Sequence, residues 1–480
     1  MAGSESREFR DLPLIQQPYE NVDEAQVDDY ASTIMDFLPV VVKDKLQLVK
    51  RPGLVPWIDL GTGLPVDGLY WWDKQHVTIA VSGTRVWKIL DSVGTKVEIT
   101  GSTELRSSTP VTFASDGPTL VMANGGRMVH TDLATLTTMA DAQAPTTVTH
   151  VATIDGYLLA NVAGTGQVQF SSFDDFLAWV ALDFVTAESK PDDVVAIGEA
   201  YRELIVVGRE SVEFFVNDGQ TPFSRITGSA QPFGIEAPYS LANVGGVWMW
   251  LSDKRQLVTM QGRAVVPVSS PFDRIIQQFV SVNDAVGYTT MIDGHPIYLL
   301  NFPTARQTLA FNYTTKVWHK WGYWDVDRGS YGRFRGQTYA YARDWNAHLV
   351  GDYSNGIIYK ASRSTYTDAG TPIRSLLRTG HITHGTEGSK RSALIRLKAK
   401  RGLANDDVTD PQISMRRRVN NRGAWTNERW KSLGKTGDHS NHVDWRRNGV
   451  YHTQQLEFVH SDASDCILMS AQEDVEFLGG

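Results

Sequence analysis

The residues in this chain that could do chemistry are few, and their spacing argues against most of it. Asp116, Asp155, Asp253, Asp293 and Asp352 lie at or near expected strand–turn junctions. Paired carboxylates can cleave glycosidic bonds, but Asp is also favoured at turns because its side chain accepts from nearby backbone N–H groups. The turn role is the expectation. His381 and His384 are three apart in a strand-like segment, which sends their side chains to opposite faces and does not suit zinc. Cys466 is the single cysteine, which excludes an intramolecular disulfide and a multi-cysteine metal site. It precedes Ile467-Leu468-Met469 and reads as a buried strand residue. Gly61-Thr62-Gly63 runs into Leu-Pro without a lysine, so it is no phosphate loop. No Gly-x-Ser-x-Gly elbow or His-Glu-x-x-His helix occurs. No catalytic, metal-binding or cofactor-binding residues are expected.

The sharpest charged feature is a basic ladder, Arg396, Lys398, Lys400 and Arg401, with Arg416, Arg417 and Arg418 beyond it. It could face DNA or an acidic neighbour, or be the solvated face of a strand. The net charge of −8 is unevenly placed, residues 1–365 carrying −11 and residues 366–480 carrying +3. Phosphate binders need clustered Lys and Arg, whereas an acidic lining lets DNA slide without sticking. Tryptophans at 71, 72, 248, 250, 318, 321, 324 and 345 could stack on sugars, but in alternating strands they more often fill wedges between sheets.

These residues must be held by a β-rich scaffold. Glycine stands at 41 residues and tryptophan at 14, favouring turn-rich β structure over long helices. No stretch of about 18 apolar residues could cross a membrane. The opening Met1–Arg10 lacks the apolar core of a secretion signal, and a one-cysteine protein suits a reducing cytoplasm. From Gly68 to about Ser362 one pattern returns: an alternating apolar strand, a short polar or glycine turn, and a second alternating strand. Turn markers fall at Gly83, Gly125, Gly164, Arg209, Lys254, Pro303 and Ser354. A period of about 40–50 residues matches one four-stranded blade per repeat, and so a β-propeller of about seven blades. A short helix is expected after Ser270-Pro271, with Ser270 as cap, Asp273 at its positive end, and Ile275, Ile276 and Phe279 as its apolar side. After about Thr365 the alternation sharpens. Ile395, Leu397 and Ala399 oppose the basic ladder, Ile413, Met415 and Arg417 oppose Ser414, Arg416 and Arg418, and Leu456 and Phe458 oppose Gln455 and Glu457. Half-buried strands of a small β-sandwich follow. The expected division is an amino-terminal extended arm at 1–56, a propeller at 57–365 and a sandwich at 366–480. Phe37, Leu38 and Pro39, with Arg51, Pro52 and Gly53, are candidate assembly contacts of the arm.

Several local words resemble those of the packaged-DNA stabilisation, or tail nozzle and hub, proteins of short-tailed bacteriophages. They are Arg51-Pro-Gly53, Glu210-Ser-Val-Glu-Phe-Phe215, Phe233-Gly-Ile-Glu-Ala-Pro-Tyr-Ser240 and Phe272-Asp-Arg-Ile-Ile-Gln-Gln278, followed by a closing β domain. The resemblance implies a structural virion protein without catalytic residues, made in the host cytoplasm. It implies a ring, hexameric in this family, below the portal and its adaptor, which retains packaged DNA and forms the ejection channel. Plug, needle, spike or fibre proteins would dock on it, and DNA would pass without sequence-specific binding. The rival expectation is a propeller tail protein that binds or cleaves glycan receptors, marked by a carboxylate pair in an open axial cleft.

Overall fold

Short apolar runs punctuated by Gly, Asn and Asp favour antiparallel hairpins, and hairpins dominate the chain. A computed structural model describes residues 7–15, 32–187, 190, 192–219, 222–270, 272–420, 424–438 and 442–478. The chain divides into two units, residues 56–307 with 333–361, and residues 1–55 with 308–332 and 362–480.

The first unit is a β-propeller. Val66–Trp72, Val77–Ser82, Arg85–Ile89 and Lys96–Ile99 make an antiparallel sheet in chain order. Four more four-stranded sheets follow within residues 112–138, 151–186, 194–225 and 242–267. The sixth begins with the hairpin Val286–Ile292 and His295–Phe302, and the seventh with Gly336–Ala342, Ala347–Asp352 and Ile357–Ser362. Each first strand packs against the next sheet, and Gly336–Ala342 packs back on Val66–Trp72, which closes the circle. The seven turn markers all fall between the second and third strands of their sheets.

Closure is what makes the sheets stable. A sheet buries both faces only between two neighbours, and the apolar clusters lie in those gaps. Trp72, Ile79 and Val81 of the first sheet pack with Leu120, Met122 and Val129 of the second. Val207, Phe214 and Ile205 of the fourth pack with Trp250, Val258 and Met260 of the fifth. In the closing gap, Leu349 and Ile358 pack with Leu69, Ala80 and Trp87. Ile58 and Leu60, from before the first sheet, join this same cluster, and Leu60 N–H donates to Gly356 O at 2.8 Å. The early chain thus reinforces the last sheet. Trp72 and Trp250 are fully buried between sheets, whereas Trp71 and Trp345 stack edge-on at 5.1 Å near the closing gap.

The helix spans Asp273–Gln278, about two residues later than a Ser270 cap would set it. Phe272 occupies the cap position without a side-chain bond, and Ser269 supplies its hydroxyl to Asp273 instead. Pro271 lies outside the described residues.

The second unit is a β-sandwich. One sheet runs Phe37–Val42, Lys45–Lys50, Ile467–Phe477, Lys390–Ala399 and His442–Tyr451, with Arg7–Leu12 also paired to Ile467–Phe477. The other contains Gln307–Asn312, Val317–Asp325, Thr33–Met35, Ser375–Arg378, Gln454–His460, Gln412–Val419 and Arg429–Ser432. Ile395, Leu397, Ile413, Met415, Trp445, Leu456, Phe458 and Leu468 fill the space between.

Two expectations are corrected here. The expected arm at 1–56 does not stand apart over its described residues, because Leu12, Leu14, Ile34, Phe37 and Leu48 belong to the sandwich core. Glu20, Asp23, Glu24, Asp28 and Asp29 fall outside the described residues. The sandwich also draws in residues 308–332 from the expected propeller range, because Thr33–Met35 pairs in parallel with Val317–Asp325 and antiparallel with Ser375–Arg378. Backbone donors on a strand edge are satisfied by whichever strand lies alongside, and side-chain periodicity does not record which one that is.

Gly234 offers a direct test of the packing between the fourth and fifth sheets. A Cβ at this position would lie 1.9 Å from Arg209 O, while Trp250 Nε1 donates to Gly234 O at 3.0 Å. Gly234→Ala is expected to destabilise the protein by about 3 kcal/mol, read from the denaturant midpoint. A loss below about 0.5 kcal/mol, the range of surface substitutions, would show that the crossing is loose.

Candidate functional site

The propeller axis is walled by the first strands of its sheets. At one level a cavity of about 180 Å3 is lined by Asp67, Phe113, His150, Tyr239, Tyr288, Gln337 and Tyr339, among others. Aromatic pairs narrow it: Tyr70 stacks on Phe113 at 5.2 Å and His150 on Tyr239 at 5.3 Å. DNA could not pass here, since its major groove alone is about 12 Å wide. Asp67 is buried. Its Oδ2 accepts from Gly83 N–H at 3.2 Å and Ser108 N–H at 3.1 Å, while Oδ1 has no partner. Burial pushes this carboxyl up to about 7, against the pull of the two N–H donors. His150 is held neutral by burial, its pKa lowered to about 4.

The sandwich centres on a different constellation. Arg51 is fully buried, and its guanidinium is matched donor by donor. Nε donates to Asp36 Oδ1 at 2.7 Å, and Nη1 to Asp368 Oδ1 at 2.9 Å and Pro52 O at 3.1 Å. Nη2 donates to Asp368 Oδ2 at 2.5 Å and Gly322 O at 2.9 Å. Those five bonds use all five guanidinium hydrogens. The ring of Trp321 lies 5.7 Å from the guanidinium. Asp36 takes a further bond from Gly322 N–H at 2.9 Å, yet burial outweighs Arg51 and raises its carboxyl to about 6. Next to it, Lys50 is also buried, bonded to Asp462 O at 2.6 Å and close to His460 Nδ1 at 3.2 Å, and burial lowers its pKa to about 8. Cys466 is buried, its thiol pushed up to about 12 by desolvation.

The candidate assembly contacts are buried within the chain. Phe37, Leu38 and Pro39 are buried, Phe37 within the sandwich core, Arg51 and Pro52 are covered, and Gly53 has backbone oxygens of Thr365 and Thr367 2.5 Å from where a Cβ would sit.

The basic ladder is not one surface. Arg396 and Lys398 lie on one sheet with Lys400 just past the end of their strand, and Arg416 and Arg418 lie on a strand of the other. Arg396 is paired with Asp444 at 2.9 and 3.0 Å, and Arg401 with Asp438 at 2.8 Å. Glu457, fully buried, accepts from Arg378 and from Arg416 Nε at 2.6 Å, and Arg378, Arg416 and Arg418 all lie within 5.2 Å of the Trp425 ring centroid. Arg418 also donates to Gln455 Oε1 at 2.6 Å. Arg417 is covered and faces the ring of Tyr451 at 5.5 Å. Trp425 covers the outer side of that strand, so its alternation does not divide buried from solvated. Lys398 and Lys400 stay exposed, and Lys398 lines a cavity of about 350 Å3 with Arg396, His442, Ser470 and Gln472.

The five aspartates sit in turns or, for Asp352, at a strand end. Asp116 Oδ1 accepts from Thr119 N–H at 2.8 Å, Asp253 Oδ1 from Gly234 N–H at 3.0 Å and Asp352 Oδ1 from Ser354 N–H at 2.7 Å. Asp155 and Asp293 hold positive φ at hairpin tips. His384 Nε2 meets Glu473 at 2.7 Å, and no cluster of metal-binding side chains occurs among the described residues.

A protein-family model described as bacteriophage P22 Gp10, β-propeller, matches residues 17–366. The chain belongs to this phage stabilisation family. Such proteins are structural components of the virion. No curated protein matches the sequence. Among solved structures, a YCF48 protein bound to a D1 peptide is 12% identical with TM-score 0.39, over 65% of this chain and 99% of that one. The Pan2 WD40 domain of Neurospora crassa is 8% identical with TM-score 0.41, over 65% of this chain and 94% of that one.

The words that carry the likeness to the stabilisation family have structural jobs. In Glu210–Phe215, Phe215 faces the third sheet and Phe214 the fifth, while buried Glu213 pairs with Arg225 at 2.7 Å. In Phe233–Ser240, Gly234 threads between sheets, Tyr239 lines the axis, and Ser240 O accepts from buried Tyr298 Oη at 2.5 Å. Arg51-Pro-Gly53 builds the buried ion cluster. Asp67 was not legible as special, since nothing in Val66-Asp-Gly-Leu distinguishes a buried strand carboxylate from a turn residue.

Two substitutions test these centres. Arg51→Met keeps volume but leaves Asp36 and Asp368 buried without their cation, and is expected to cost about 3–5 kcal/mol in chemical unfolding. Asp67 binds a proton more tightly folded than unfolded. Its contribution is therefore intact below about pH 4 and lost as pH rises toward 7. Asp67→Asn should raise Tm by about 3 °C or more at pH 8 and change it little at pH 4. Equal shifts at both pH values would refute the assignment.

Proposed function

We propose that this chain is a ring-forming tail nozzle or hub subunit that lies below the portal and adaptor, retains packaged DNA and surrounds its exit path. The observation that carries this reading is the family match across residues 17–366, which spans the propeller and the amino-terminal strands of the sandwich. The narrow propeller axis supports a passage made by several subunits together. An acidic body suits a lumen along which DNA slides.

The outer strand of the third sheet, Asp175–Thr186, supports self-assembly. It is 12 residues long, lies at the end of its sheet order and leaves Leu182 83% exposed, with Leu177, Val180 and Phe184 also uncovered and Phe173 just before it 65% exposed. Open, apolar edge strands invite another chain. Here the occupant is a second copy, in the head-to-tail contact that closes a ring. Lys398 and Lys400 are left as the part of the basic ladder able to meet an acidic portal, adaptor, plug or fibre protein.

Native mass measurement of the purified protein, alone and with portal complexes, tests ring formation. Leu182→Asp should leave the monomer's Tm unchanged, abolish closed rings and give particles that leak their genomes. Normal rings from the variant would remove this edge as the interface. Infectious, filled particles lacking the protein altogether would overturn the function.

A further inference from the structure

A head-to-tail ring needs two different faces on each subunit. The edge around Leu182 offers one, and it is a built protrusion. Gln169 pairs with Phe184 and Ser171 with Trp179, so Phe170 alone faces the four residues 180–183 and the outer strand of the third sheet bulges. Side chains hold that bulge in place. Trp179 N–H donates to Asp141 Oδ2 at 2.9 Å, Ala181 N–H to Gln143 Oε1 at 3.0 Å, and Gln169 Nε2 to Val180 O at 3.2 Å. Backbone groups lost to the ladder are thereby satisfied, and Leu182 is held out in water by design of its surroundings. The face is also of one sign. Asp174, Asp175 and Asp183 lie on or beside it, and no lysine or arginine occurs from 128 to 189.

Complementary features occur at the tip of the hairpin formed by Phe37–Val42 and Lys45–Lys50. Lys45–Lys50 meets Ile467–Phe477 only at Leu48 and Val49, so among the described residues the outer half of the hairpin has no further strand beside it. Val41 and Val42 are 48% and 43% exposed there, and Lys43, Asp44 and Lys45 after them are exposed too. Lys43 and Asp44 both hold left-handed φ, the two-residue turn that matches strand twist, so the tip is preformed. They and Lys45 are the only charges between Asp36 and Lys50, two positive and one negative. Pairing two bulges would set acid against acid, and pairing two tips lysine against lysine, so unlike faces meet. We propose that the tip of one copy packs on the Leu182 bulge of the next, with Val41 and Val42 on Val180 and Leu182, and Lys43 and Lys45 beside Asp175 and Asp183. This inference rests on the ring reading and names the second half of its contact. The apolar side chains supply the attraction, and the charges at the rim fix the register.

Cross-linking of the full-length protein tests it. The Val42→Cys and Leu182→Cys variants, mixed as monomers and treated with a bifunctional maleimide, should give a covalent dimer, and neither variant should do so alone. Cys466 is buried and stays out of the reaction. Lys43→Glu with Lys45→Glu should raise the protein concentration needed for half assembly at least about tenfold in native mass measurement, and adding Asp175→Lys with Asp183→Lys should restore it. Wild-type rings that give no link between positions 42 and 182, and that tolerate the two lysine reversals, would overturn this contact and leave the ring reading standing. A wild-type protein that forms no rings, alone or with portal complexes, would overturn both.

Discussion

The propeller depends on one constraint: a twisted four-stranded sheet has two apolar faces, and neither can be left in water. Stacking sheets around an axis removes the problem only if the last sheet meets the first. In this chain the closing gap is filled by Leu349 and Ile358 against Leu69, Ala80 and Trp87, with Ile58 and Leu60 added from upstream. That addition joins distant parts of the chain across the seam. Opening the circle would expose two apolar faces together, so the sheets stand or fall as a cooperative set.

The sandwich solves a harder problem, because it buries charge. Asp36 and Arg51 flank one amino-terminal hairpin, whereas Asp368 lies 317 residues beyond Arg51, and their pairing requires both segments to be in place. Such clusters contribute little net stability compared with apolar packing, yet a wrong pairing would strand a charge in the interior. The amino-terminal strands, the segment at 308–332 and the carboxy-terminal domain form one core around this cluster. The neighbouring Lys50 and His460, both buried, extend the same polar seam.

The polar groups left over at the axis are of another kind. Asp67, Asp284 and Arg333 each keep a buried atom without a partner, whereas the aspartates at hairpin tips are occupied by turn N–H groups or by backbone geometry. Turn carboxylates serve local structure. Asp67 and Asp284 also accept from backbone N–H groups, of Gly83, Ser108 and Thr304, and differ in keeping one buried oxygen over.

The residues alone determined the repeat, and with it the propeller. Alternating strands and turn signals are local, period-two features, so Gly83, Gly125, Gly164, Arg209, Lys254, Pro303 and Ser354 each marked a real turn between second and third strands. The alternation in Ile395–Lys400 likewise showed which side of its strand is buried. Only the tertiary structure decided what those strands pair with. Phe37, Leu38 and Arg51 looked like the contacts of an arm, but they are interior, since a backbone edge accepts any partner and a sequence does not state which one arrives. It also separated one basic ladder into two sheets, one half paired with Asp444 and Asp438 and the other gathered around Trp425 and Glu457. Charge and burial at such positions depend on groups tens or hundreds of residues away, and that distance is the physical reason they could not be read in advance.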